Sequence, residues 1–228
     1  MKKAMTLDIL FNKCEKIKPR LYTIASSAKM HPQDLHIAVS LSADKLPNGK
    51  TKMGVTSAFL DLSRKTGQMA TARIFTRDSS FIMPKDPKIP FIMCGPGTGV
   101  VPFLGFIQER SLMKKEDLSE ATLYFGCRER NSDFIYRDEM ATAKDNKIIS
   151  ELYICLSREP NEPKTYVQQE LQKHKDHLEN LLLKQGGYFF ICGSTSMGRD
   201  VNAVLKSVCG DEEYEKLRKD GKLIQELW

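Results

Sequence analysis

Four short, almost wholly apolar runs constrain this chain more than any other feature. They are Pro90-Phe91-Ile92-Met93-Cys94, Thr122-Leu123-Tyr124-Phe125-Gly126-Cys127, Leu152-Tyr153-Ile154-Cys155 and Tyr188-Phe189-Phe190-Ile191-Cys192, and each ends in cysteine. A strand with one wet face alternates apolar and polar residues, so unbroken apolar runs of this length fit strands covered on both faces. Longer amphipathic stretches separate them, and helices are expected at about 100–113, 136–144, 165–183 and 196–208. Pro102 falls in the first turn of the first of these, where proline is tolerated. A last helix at about 212–219 leads through Gly221 into an edge strand at 222–228. This alternation gives an α/β fold with a parallel sheet, and such sheets bind ligands at their carboxyl edge, where the four cysteines fall. Cysteine is also small and easily buried, so packing alone accounts equally for Cys94, Cys127 and Cys155.

The first part of the chain differs in kind. His36-Ile37-Ala38-Val39-Ser40-Leu41 and Ala72-Arg73-Ile74-Phe75 alternate in the manner of antiparallel strands, and turn-rich stretches such as Pro47-Asn48-Gly49-Lys50 lie between them. One short helix is expected before them, at about 6–16. The three prolines of Pro84-Lys85-Asp86-Pro87-Lys88-Ile89-Pro90 make a stiff link. The expected division is therefore residues 1–85 and 86–228.

Composition narrows the function classes. The formal charge of +6 is spread through mixed-sign stretches such as Lys114-Lys115-Glu116-Asp117, with no dense basic block and no aromatic-basic interleaving, so no nucleic-acid partner is expected. A mildly basic surface suits a phosphorylated small molecule or simple solvation. No apolar run approaches the roughly 20 residues that span a bilayer, and the start at Met1-Lys2-Lys3-Ala4-Met5 opens no secretion signal, so a cytoplasmic location is expected. The six cysteines contain no CxxC pair; free thiols are expected, with neither zinc nor a disulfide framework.

Three strand-to-helix turns and the chain end carry the candidate chemistry. Gly95-Pro96-Gly97-Thr98-Gly99 follows the first run and feeds a helix, an arrangement that brings backbone N–H groups and a helix N-terminus to a pyrophosphate, or serves only as a tight connection. Ser157-Arg158-Glu159 and Lys164-Thr165-Tyr166-Val167-Gln168 follow the third run; Arg and Lys offer charge to a phosphate, Ser a hydrogen bond, and Tyr166 a flat face to a purine. Cys192-Gly193-Ser194-Thr195-Ser196-Met197-Gly198-Arg199-Asp200 repeats the strand-turn-helix plan, and the sequence closes on Gln225-Glu226-Leu227-Trp228.

Together these residues resemble the diflavin reductases. The signature Gly95-Pro96-Gly97-Thr98-Gly99-Val100-Val101-Pro102-Phe103-Leu104-Gly105-Phe106-Ile107-Gln108-Glu109-Arg110 carries the likeness, and Pro19-Arg20-Leu21-Tyr22-Thr23-Ile24-Ala25-Ser26-Ser27, Gly54-Val55-Thr56-Ser57, Tyr124-Phe125-Gly126-Cys127-Arg128, Ser157-Arg158-Glu159, Tyr166-Val167-Gln168 and Cys192-Gly193 fall in the family's order. The resemblance implies a ferredoxin-NADP-reductase-like fold: a partial antiparallel β-barrel for FAD over 1–85, then a Rossmann-like five-stranded parallel sheet for NADP over 86–228, in strand order 3-2-1-4-5. It implies cofactor contacts from Arg20, Tyr22, Thr23, Ala38, Val39, Ser40, Gly54, Val55, Thr56, Ser57 and Trp228 to FAD. To NADPH it implies contacts from Gly95, Gly97, Thr98, Gly99, Arg128, Ser157, Arg158, Lys164, Tyr166, Gln168, Cys192, Gly193 and Asp200. Cys192, Thr23, Glu226 and Trp228 would surround the site of hydride transfer. Thr23 stands where the family usually has Ser, Glu226 where it has Asp, and Ser194 replaces a common Asp.

The family's FMN domain, helical connecting insert and first barrel strands have no counterpart before Arg20, so FMN is expected only on a missing domain or partner. The implied activity is NADPH-dependent flavin oxidoreduction, with an FMN domain or haem protein as acceptor. The alternative is a non-catalytic NADP-binding subunit or fragment that needs a partner chain to complete the FAD barrel, since open sheet edges invite another strand.

Overall fold

The computed structural model describes residues 6–15, 17–69 and 71–228. Met1 to Met5 and the expected helix end at Lys16 therefore lie outside the described residues. The chain divides into two compact units, Met1–Tyr22 with Leu41–Gln68, and Thr23–Ser40 with Met69–Trp228.

The larger unit is the expected layered fold. Its strands are β3 (Phe91–Cys94), β4 (Ala121–Cys127), β5 (Glu151–Leu156), β6 (Tyr188–Gly193) and β7 (Leu223–Leu227), numbered after two in the smaller unit. Among the described residues they form a five-stranded sheet in the order β5-β4-β3-β6-β7. Every pairing is parallel. The apolar runs have their physical reason here, because alternate residues of each strand feed opposite cores. Phe91 and Met93 pack with Phe103, Phe106 and Ile107 of α3 (Val101–Ser111) and with Met140 and Ala143 of α4 (Arg137–Asp145). Ile92 and Cys94 pack with Leu171 of α5 (Val167–Lys173), Leu178 of α6 (Lys175–Glu179), Val201 and Leu205 of α7 (Thr195–Cys209), and Leu217 of α8 (Asp211–Lys219). With helices on both faces β3 and β4 are buried at every position, so neither face selects polar residues there, whereas β5 at the sheet edge is half-buried from Glu151 to Ile154.

The long helix expected over 165–183 is instead three pieces, α5, α6 and a π turn at Asn180–Lys184. The break falls at His174, whose ring lies 4.2 Å from that of Tyr153 and whose Nδ1 is 3.3 Å from the Tyr124 hydroxyl. Packing against the sheet thus overrides helical continuity, and the π turn buries Leu181 and Leu182.

The smaller unit has α1 (Leu7–Lys13), the antiparallel pair β1 (Ala43–Lys45) and β2 (Thr51–Met53), and α2 (Val55–Thr66). The turn between β1 and β2 contains Gly49 at φ 77, so the turn read from Pro47-Asn48-Gly49-Lys50 is present. The alternating segments 36–41 and 72–75 are not strands; of that expected ladder the structure has one bridge, Ile24 to Ile37. Alternation marks residues that fit a ladder, but a ladder needs a partner strand, and among the described residues these segments find no more than that one bridge. No closed barrel forms among the described residues. No helix there is long and apolar enough to cross a membrane, and no group of acidic, histidine and cysteine side chains there could hold a metal ion.

Candidate active site

The strand order creates the site. From central β3 the chain builds outward through β4 to β5, then crosses back to place β6 on the other side of β3. The turns after β3 and β6 must then diverge to opposite faces from neighbouring strands, leaving a crevice between them. A β-carbon added to Gly99 would lie 2.0 Å from the carbonyl oxygen of Cys192, so only glycine lets the two turns approach this closely. Gly95 is confined likewise, with the Gly99 carbonyl oxygen 2.3 Å from such a carbon and the Phe103 ring 2.7 Å away. Gly97 meets no neighbour but has φ 56. The turn tightens into a short 3-10 segment, Gly97–Val100, before α3, and no side chain caps either helical start. Such N-termini leave backbone N–H groups free for an anion.

Across the crevice, Cys192 lies opposite Glu226 in the β6-β7 register. The Thr23 hydroxyl donates to Glu226 Oε2 at 3.2 Å. Cys192, Thr23 and Glu226 are thus brought together from segments far apart in sequence. Burial, with the Glu226 carboxylate as a smaller contributor, pushes the Cys192 thiol up to about 12, so it is a neutral thiol at pH 7. Trp228 is tied by its backbone: its N–H donates to the Gly193 carbonyl at 3.1 Å, and its carbonyl accepts from the Thr195 N–H at 2.9 Å. The residue is 59% exposed. Ser194 caps α7, its side chain accepting the Met197 N–H at 3.3 Å; the hydroxyl here does the capping work of a shorter carboxylate.

The other candidate residues gather beyond β4 and β5. The Ser157 N–H donates to the Cys127 carbonyl at 3.0 Å, and the Arg158 N–H to the Arg128 carbonyl at 2.9 Å, so the two loops run side by side. Lys164 Nζ sits 4.9 Å from the centre of the Tyr166 ring. Tyr166 starts α5, and Gln168 on its first turn donates to Asp200 of α7 at 3.2 Å. Among the described residues none of Arg128, Arg158 and Lys164 forms an ion pair.

The residues expected on the flavin side are divided. Arg20, Tyr22 and Gly54 to Ser57 belong to the smaller unit, whereas Thr23, Ala38, Val39, Ser40 and Trp228 belong to the larger. Arg20 is exposed and bonds the Lys18 carbonyl. Gly54 opens α2, whose first turn has no side-chain cap. A β-carbon at Gly54 would lie 2.9 Å from both Ser42 Oγ and Ser57 Oγ. That glycine cradle and uncapped helix start fit a pyrophosphate, as do Gly95, Gly97 and Gly99 on the nicotinamide side.

Several residues of the site were given no role from the sequence. Asp133 accepts the backbone N–H groups of Arg128 and Glu129, each at 2.9 Å, and so folds the loop after β4. Ser27 and Lys29 both bond Glu109, and the Ser27 N–H donates to Gln108 Oε1 at 2.8 Å, fixing the segment after Thr23 on α3. Burial alone would push the Glu109 carboxyl up, but Lys29 and Ser27 outweigh it and hold it below the usual range. Only the Asp two positions after Asn131 could have been suspected, as a loop-folding side chain.

Comparison with known proteins agrees with this geometry. Residues 2–59 match the family of FAD binding domains, and residues 93–203 match the oxidoreductase NAD-binding domain. The NADPH–cytochrome P450 reductase of Cavia porcellus is 32% identical over 97% of this chain and 35% of its own length. That of Drosophila melanogaster is 38% identical over 85% of this chain and 29% of its own. The bifunctional cytochrome P450/NADPH–P450 reductase 2 of Bacillus subtilis (strain 168) is 38% identical over 93% of this chain and 21% of its own. The chain thus spans about a third or less of the length of these relatives. With both family matches in order and the five-stranded parallel sheet present, this chain is a diflavin reductase-like module with FAD- and NADP-binding parts.

Proposed function

We propose that this chain takes hydride from NADPH onto FAD and delivers the electrons to an FMN domain or a haem-protein acceptor. The observation that carries the reading is the Thr23 to Glu226 hydrogen bond, formed opposite Cys192 where Gly99 brings the two turns together. FAD, when bound, supplies a ring that accepts two electrons as hydride and releases them singly. The rest of the work falls to side chains and backbone of this chain.

Gly95, Gly97, Thr98 and Gly99 with the start of α3 bind the coenzyme pyrophosphate, and Gly193 leaves room beside it. Ser157, Arg158, Lys164 and Arg128 take the 2'-phosphate, Tyr166 takes the adenine face, and the Gln168 to Asp200 bond steadies the start of α5. Arg20, Tyr22, Ala38, Val39, Ser40 and Gly54 to Ser57 would hold FAD, and Trp228 would shield the flavin in the absence of nicotinamide. Thr23 keeps its hydroxyl proton directed at Glu226 Oε2, the Glu226 carboxylate favours the positive charge that develops on nicotinamide, and the neutral Cys192 thiol forms a wall beside them. We assign residues 1–85 to the FAD part and 86–228 to the NADP part.

The exposed, three-residue strands β1 and β2 favour a second reading, in which NADP binds here but FAD is retained only when another chain completes the barrel. Retention of FAD by the chain alone separates the two readings, and one variant of FAD-loaded protein tests the first. Thr23→Val should slow anaerobic flavin reduction by NADPH at least about tenfold while NADP affinity stays the same. An unchanged rate would remove Thr23 and Glu226 from the reacting centre.

A further inference from the structure

The rim beyond β4 and β5 carries as many carboxylates as cations. Arg128, Arg130, Arg158 and Lys164 are matched by Glu129, Asp133, Glu159 and Glu162. By sequence such a rim has no net attraction for a phosphate. What decides its character is which carboxylates are already engaged.

Asp133 is occupied by the N–H groups of Arg128 and Glu129. The other two engaged carboxylates converge on one residue. The Arg130 N–H donates to Glu159 Oε2 at 2.7 Å, and Arg130 Nη2 lies 3.4 and 3.3 Å from the two oxygens of Glu162. Glu159 is the neighbour of Arg158, and Glu162 stands two residues before Lys164, with Asn161 between them at φ 65 turning the loop back. Arg130 thus crosses from the loop after β4 and holds both carboxylates that flank the free cations of the loop after β5.

We infer that Arg130 is a specificity-determining positioning residue for the phosphorylated coenzyme: by engaging Glu159 and Glu162 it leaves Arg158 and Lys164 unopposed for the 2'-phosphate. The inference rests on the coenzyme reading above. Without the Arg130 guanidinium, Glu162 is an unmatched negative charge in the same loop as the phosphate-binding cations. It then either repels the phosphate or pairs with Lys164, and both weaken binding. Glu159 keeps its backbone partner in any variant at position 130, so the effect isolates Glu162.

The test is calorimetric titration of the whole chain with 2',5'-ADP and, separately, with 5'-ADP, which lacks the 2'-phosphate. The pair is about half exposed on both sides, so the effect is modest. Arg130→Ala should weaken 2',5'-ADP about threefold and leave 5'-ADP unchanged, with the loss shrinking in high salt. Arg130→Lys should retain most of the affinity, and Arg130→Ala with Glu162→Ala should recover it. Equal weakening of both nucleotides by Arg130→Ala, no weakening of either, or no recovery in the double variant would overturn the inference. Arg158→Ala separates this from the reading beneath it: if that variant keeps the full preference for 2',5'-ADP, the coenzyme site itself is misplaced.

Discussion

Replacing Gly99 with alanine tests whether the two turns of the crevice act as one site. The new β-carbon would stand 2.0 Å from the Cys192 carbonyl oxygen and 2.8 Å from its carbon, both backbone atoms that no rotamer change can move. Close carbon–oxygen contacts settle at about 3.3 Å or more, so the turns must part by about 1.3 Å. A displacement near 1 Å in a positioned site costs about a hundredfold. Gly99→Ala should therefore weaken NADP binding about a hundredfold, measured by calorimetry, with a lowered melting temperature. Gly97→Ala is the control, because it meets open space and bears only the left-handed backbone penalty of about 1–2 kcal/mol. It should lose stability without parting the turns. If Gly99→Ala bound NADP within twofold of the parent at an unchanged melting temperature, the contact between the turns would not be what builds the site.

Three other outcomes follow from the same geometry. Arg158→Ala should weaken NADPH about 10- to 100-fold while sparing NADH, because a charged hydrogen bond to the extra phosphate is lost; equal losses in steady-state KM would refute that role. Trp228→Ala should raise turnover with NADH, since the exposed ring no longer competes for the flavin face, and unchanged coenzyme kinetics would leave it as surface packing. Stability should fall as pH rises above 9. Cys127, Cys155, Cys192 and Cys209 are all held protonated in the fold, with burial the main cause, above an ordinary value of 9.0. The unfolded chain releases those protons first, so each thiol subtracts up to about 1.4 kcal/mol per pH unit between 9 and its folded value of about 11 or 12. Urea midpoints that stay level from pH 8 to 10.5 would contradict the burial.

The parallel half of the fold was legible because its central strands are buried on both faces, which leaves a signal that needs no knowledge of neighbours. Phe91 to Cys94 and Tyr188 to Cys192 read as strands from their own composition, and Gly95 to Gly99 as a tight turn before a helix. The smaller unit was less legible. Residues 36–41 and 72–75 have strand-like alternation, but a strand exists only with a hydrogen-bonded partner, and alternation does not supply one. Helix α2 has a weak local signal because Gly54 opens it without a capping side chain, although Asp61 pairs with Arg64 and Lys65 at helical spacing. The break at His174 depends on Tyr124 and Tyr153, some 20 to 50 residues away in sequence, and no local pattern encodes it. The same holds in the site: Thr23 and Glu226 meet across 203 positions, and resemblance rather than spacing singled them out.

The central claim is hydride transfer from NADPH to a flavin held by this chain, and its most direct measurement is the colour of the FAD-loaded protein. Purified chain incubated with FAD and freed of excess should remain yellow, and anaerobic NADPH should bleach it stoichiometrically, with NADH far slower. A chain that retains no FAD, or whose retained FAD keeps its absorbance under excess NADPH, would contradict the claim.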